Sequence, residues 1–98
     1  MQIIWHNKAK QDLDENIRYI AKQSLKNALT VLETLTSLVN SLKIFPLAYS
    51  KEPVYNKENV RFIVKWNFKI IYKVDKANNT IYILRIFNTK QQPKRIIE

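Results

Sequence analysis

An α+β fold, with an N-terminal strand and an antiparallel helix hairpin followed by a three-stranded antiparallel meander, is what two periodicities predict for these 98 residues. In the first half apolar residues recur every three or four positions, the spacing of a helix face. In the second half three β-prone runs alternate apolar and basic side chains, the period of a strand. Short polar connections between those runs favour antiparallel neighbours.

Gln2-Ile3-Ile4-Trp5 reads as the first strand, ended by His6-Asn7, with Asn7 as the cap of a helix over Lys8 to Lys22. Ala9, Leu13, Ile17 and Ile20 form its apolar stripe. Ser24 caps a second helix, in which Ala28, Leu32, Leu35, Val39 and Leu42 repeat at intervals of four and three. Phe45-Pro46 ends it, since the residue before a proline is biased away from helix. Leu47 to Asn59, with prolines, asparagines and charges of both signs, reads as a surface loop.

The meander follows. Val60, Phe62, Val64 and Trp66 share one face of its first strand, opposite Arg61, Ile63 and Lys65. Phe68, Ile70, Tyr72 and Val74 oppose Lys69, Ile71 and Lys73 in the next, and Tyr82, Leu84 and Ile86 oppose Ile81, Ile83, Arg85 and Phe87 in the last. The stronger apolar face of each strand is expected to meet the helices, with the bases of the first two turned outward. Asn67 connects the first pair of strands, and Asn78 or Asn79 turns the second hairpin by adopting left-handed backbone. In the polar tail, Asn88 to Glu98, Pro93 is placed to open one helical turn through Lys94 to Ile97.

Composition narrows the chemistry. A chain of this size suits one domain, residues 1–98. With no glycine, phosphate-cradling loops and dinucleotide fingerprints are excluded, because their backbones require glycine dihedrals and close approach. With no cysteine and His6 as the sole histidine, disulfides and a zinc site of nitrogen and sulfur ligands are excluded, and no metal or cofactor is expected. No apolar run nears the roughly 20 residues that span a bilayer, so a cytoplasmic protein without membrane contact is expected.

The net charge is +9, and 11 of the 17 basic residues fall after residue 50. A field concentrated in the sheet half points to a polyanion or an acidic protein as partner.

The order of elements, with Val60-Arg61-Phe62-Ile63-Val64, then Phe68-Lys69-Ile70-Ile71-Tyr72-Lys73-Val74, then Ile81-Tyr82-Ile83-Leu84-Arg85-Ile86 and the tail Asn88-Thr89-Lys90-Gln91-Gln92-Pro93, resembles the RelE/ParE superfamily of toxins. The likeness runs over nearly the whole chain. It implies the toxin of a bacterial type II toxin–antitoxin module, of the plasmid-stabilisation kind, which inhibits growth and is neutralised by a cognate antitoxin protein. It implies one of two targets, DNA gyrase for ParE-like members or the ribosome and its mRNA for RelE-like members. An inactive nucleic-acid-binding relative is the third reading. Nothing in the sequence sets the oligomeric state.

The resemblance also implies site residues. Arg61 and Arg85 match the strand arginines of the family, and guanidinium forks suit phosphate oxygens in a catalytic role. Lys51 and Lys57 lie where RelE-like members carry functional lysines, with Glu52 or Glu58 as carboxylate bases, and Lys65, Lys69 and Lys90 extend the basic surface toward nucleic acid or target. RelE-like nucleases place a tyrosine or histidine after the last strand, where this chain has Asn88 and Thr89. Cleavage of RNA needs an acid and a base at the phosphate, so that departure favours a ParE-like, gyrase-directed mode. His6 stands at the start of a helix and reads as a neighbour of its cap. The alternation of Phe62, Trp66 and Tyr72 with aliphatic residues assigns them to packing rather than base stacking.

Overall fold

A computed structural model describes residues 1–54, 57 and 59–90. In chain order the elements are β1 (Gln2–Trp5), α1 (Asn7–Ala21), α2 (Leu25–Ser41), β2 (Ser50–Lys51), β3 (Val60–Lys65), β4 (Phe68–Asp75) and β5 (Thr80–Asn88). The expected strand, helix pair and meander are all present. One sheet of five strands contains them, ordered β1-β5-β4-β3-β2. Two pairings go beyond the expectation. β1 runs parallel to β5, Gln2 opposite Thr80 and Trp5 opposite Ile83, and the segment read as loop supplies β2, with Lys51 opposite Arg61. The tail helix expected over Lys94 to Ile97 lies outside the described residues.

The helix starts differ in how they are capped. Ser24 Oγ accepts from Asn27 N–H at 3.1 Å, as its position predicts. At α1, His6 rather than Asn7 takes the cap position, with extended backbone and no side-chain bond. The cause is the parallel pairing: His6 N–H donates to Ile83 O at 2.9 Å, which keeps the chain extended through His6. Asn7 is thereby the first helical residue.

The main core lies between the helix hairpin and one face of the sheet. Ala9, Leu35, Val39 and Leu42 meet Ile63, Ile70, Tyr72, Ile81, Ile83 and Ile86 there. Burying a side chain such as Leu35 contributes about 1.5–3 kcal/mol. The face assignment of β3 differs from the one its alternation predicts. Ile63 pairs with Ile70 and Arg61 with Tyr72, so Arg61, Ile63 and Lys65 point to the helix side. Val60 and Phe62 instead join Ile71, Leu84 and Phe87 in a second, smaller cluster on the far face. Both faces of the central strands are therefore buried, and the more apolar row of β3 serves the lesser core.

The parity of β5 also changes along its length. Ile71 pairs with Arg85 but Tyr72 pairs with Ile83, leaving Leu84 as the extra residue of a bulge. Ile81 and Ile83 face the helices before it, Ile86 after it, and Arg85 and Phe87 turn to the far face.

Asn79 turns the β4–β5 hairpin with φ 52°, as expected. Asp75 Oδ1 and Oδ2 accept from Asn78 N–H and Nδ2 there, and the side-chain bond from Asn78 is the first cause of a carboxyl pKa held below its usual value. In the β3–β4 turn the left-handed residue is Trp66, φ 54°, rather than Asn67, a conformation that costs a residue with a Cβ about 1–2 kcal/mol.

Tyr72 is fully buried, and its hydroxyl donates to Pro46 O at 2.7 Å, tying the end of the helix hairpin to the sheet. Burial pushes its pKa up to about 12, against the lowering influence of nearby Arg61. The folded state keeps this proton after the unfolded state has begun to lose it near pH 10, so stability falls as pH rises from about 10 to 12. Denaturation of Tyr72→Phe at a series of pH values is expected to show that part of the alkaline decline removed. An unchanged alkaline limb shows that other groups govern it.

Candidate functional site

The two arginines expected at a phosphate stand on opposite faces of the sheet. Arg61, on the helix side, donates from Nη1 to Tyr49 O at 3.1 Å. Arg85, on the far side, has its guanidinium 4.5 Å from the Phe87 ring centre and reaches the edge of β5 to meet α1. There Nε and Nη2 donate to the two carboxylate oxygens of Asp12 at 2.8 and 3.1 Å. Asp12 Oδ2 also accepts from Ile86 N–H at 2.9 Å, continuing along β5 the edge that β1 leaves at Trp5. Asp12 thus serves as strand cap and counter-ion together. A guanidinium engaged by a carboxylate in this forked geometry offers a phosphate little.

The lysines divide similarly. Lys69 Nζ pairs with Glu52 and sits 4.7 Å from the Phe62 ring centre, above the smaller core. Glu52 is fully buried, and its second oxygen accepts from Val54 N–H at 2.7 Å. The residue offered as a base is thus a structural counter-ion holding the segment after β2 against the sheet. Glu58, the other candidate, lies outside the described residues. Lys65 lies on the helix side with Nζ 5.1 Å from the Trp66 ring centre, beside a groove shared with Leu38 and Ser37 of α2. Lys51, Lys57 and Lys90 are exposed. His6 stacks obliquely on Tyr82 at 5.6 Å, on the β1 side of the sheet.

The expected residues therefore do not converge. Among the described residues no histidine, cysteine or carboxylate cluster fit to hold a metal occurs, and no acid and base stand together beside an unengaged guanidinium pair. What the sequence reading missed is the exposed aromatic pair Trp66 and Tyr19, 53% and 52% accessible, facing one cleft. Only the Trp66-Asn67 dipeptide, where a tight turn must put a side-chain-bearing residue into left-handed backbone, hinted at it.

A family model described as the ParE toxin of the type II toxin-antitoxin system parDE matches residues 3–93. No curated protein matches the chain. Among solved structures it is similar to the chromosomal ParDE toxin–antitoxin system from P. aeruginosa, with a TM-score of 0.70 and 25% identity over 90% of this chain and 95% of that one. It is also similar to the RelBE2 toxin–antitoxin complex from Mycobacterium tuberculosis, with a TM-score of 0.57 and 19% identity over 89% of this chain and 88% of that one. The second likeness is one of fold.

Proposed function

The chain belongs to the ParE toxin family of type II toxin–antitoxin systems, and from that premise we propose that it arrests growth by inhibiting DNA gyrase without cutting nucleic acid, until a cognate antitoxin protein covers it. The observation that carries the reading is the engagement of Arg85 by Asp12 and of Lys69 by Glu52. Both cations belong to the basic surface expected to hold a phosphate, and both are spent on internal carboxylates. The tail supplies neither tyrosine nor histidine to replace them. An antitoxin partner fits the net charge of +9 together with exposed apolar side chains such as Leu25, Ile44 and Phe45, since a segment that is acidic and amphipathic satisfies both on binding. The solved relatives named above are themselves toxin–antitoxin assemblies. Gyrase places the action in the cytoplasm, and among the described residues no helix is long and apolar enough to cross a membrane.

Induction of the chain alone and beside the adjacent open reading frame tests this. Growth is expected to stop in the first case and continue in the second, with altered plasmid supercoiling and intact transcripts in the arrested cells. Transcripts cut at codon positions with normal supercoiling make the protein a ribosome-dependent endoribonuclease instead. Unimpaired growth in both cases makes it an inactive relative.

A further inference from the structure

Trp66 holds left-handed backbone although Asn67, the next residue, tolerates that conformation better. The turn is fastened to the end of β5. Asn67 Nδ2 donates to Asn88 Oδ1 at 2.8 Å, and Thr89 donates to Asn67 O from its N–H at 2.7 Å and from its hydroxyl at 3.0 Å. Strained backbone persists where the surroundings over-determine it. The backbone that carries the half-exposed indole is therefore held in place, and Lys65 Nζ stands near one side of the ring.

Beside the indole opens a cleft of about 380 Å³, floored by Ile20, Val31 and Phe68 and edged by Tyr19, Asn27 and Asn88. None of the described residues that line it is charged at neutral pH. The charged residues that adjoin the lining in the chain are all basic; of these, Arg18 pairs with Asp14 and Lys69 with Glu52 on the far face, which leaves Lys26 and Lys65 as the positive charges next to the cleft.

We infer that Trp66 and this cleft form the surface by which the toxin grips its target, receiving one protruding apolar side chain from an acidic patch of a folded protein. The inference rests on the reading of the chain as a toxin with a protein target. Size selects the kind of ligand: the cleft admits one or two side chains, whereas a docked helix needs a long groove with anchors at i, i+3, i+4 and i+7. Single-stranded nucleic acid would need a track of cations along its phosphates, and the lining carries no charge. A half-exposed tryptophan beside an uncharged cleft with an apolar floor is the composition of an interface hot spot, and its constrained backbone lowers the entropy lost on binding.

Trp66→Asn in the full chain tests the inference, because asparagine accepts the left-handed backbone. Its thermal midpoint is expected at or above that of the parent, and it should still co-purify with the product of the adjacent open reading frame. It should nevertheless lose growth arrest and at least tenfold in potency against purified gyrase, while Trp66→Phe retains most of both. Full growth arrest by Trp66→Asn overturns the inference. So does arrest that the antitoxin no longer relieves, which would assign the surface to the antitoxin, and so does a lowered midpoint, which would assign the loss to folding. In a Trp5→Phe chain, a shift of the Trp66 emission on adding a single-stranded oligonucleotide at physiological salt overturns it in favour of nucleic acid. If the parent arrests growth without affecting gyrase, the gyrase reading falls while loss of arrest on Trp66→Asn still decides the inference.

Discussion

Asp12→Ala is expected to lower unfolding free energy by about 3–4 kcal/mol, the range for removing one partner of a partly buried, hydrogen-bonded ion pair. Asp12 and Arg85 are 14% and 18% accessible at their side chains, so solvent screens the pair only in part. The truncation leaves the Arg85 guanidinium without its fork and Ile86 N–H without its acceptor. It also separates α1 from the part of β5 that β1 does not reach. Asp12→Asn, which keeps one acceptor but not the charge, should lose roughly half as much. Urea denaturation of the three chains measures this, and a loss below about 1 kcal/mol would reduce the contact to an ordinary surface ion pair.

Glu52→Ala is expected to cost about 3 kcal/mol, for the same reason in a drier place. The carboxylate is fully buried, whereas the Lys69 side chain is 14% accessible. Truncation leaves an ammonium over the Phe62 ring and an unmet Val54 N–H. Replacing both members, as Glu52→Leu with Lys69→Met, should recover much of the loss, because the desolvation cost of the pair disappears with the pair. A double variant no more stable than Glu52→Ala would show that the segment after β2 needs the carboxylate for itself. Hydrogen exchange at Val54 reads the local part of the effect.

Much of the architecture could be read from short-range pattern. The stripes Ala9-Leu13-Ile17-Ile20 and Ala28-Leu35-Val39-Leu42 mark helices wherever the chain folds, Ser24 announces its cap, and Asn79 turns its hairpin as a residue tolerant of left-handed backbone does. The family likeness rested on the same local features and agrees with the match over residues 3–93. The faces of the strands were less legible. In β3 the richer apolar row, Val60, Phe62 and Val64, marked the wrong side, because both faces of the central sheet are covered and Ile63 alone carries the helix side. In β5 one bulged residue, Leu84, reverses the parity of everything after it, and no local signal announces it.

The candidate site depended more heavily on distant partners. Arg61 and Arg85 looked equivalent as arginines within strands, and only the register of β3 and β5 on β4 sends them to opposite faces. By itself, then, the sequence determined the order of elements, the helix hairpin, the excess of positive charge and the toxin family, all properties of neighbours within a few positions. The tertiary structure alone decided which of those charges remain to meet a partner, because Asp12 reaches Arg85 across 73 residues and Glu52 reaches Lys69 across 17. Such pairs form when the sheet closes and excludes water around them, and the energy that joins them does not exist in any stretch of the chain taken alone.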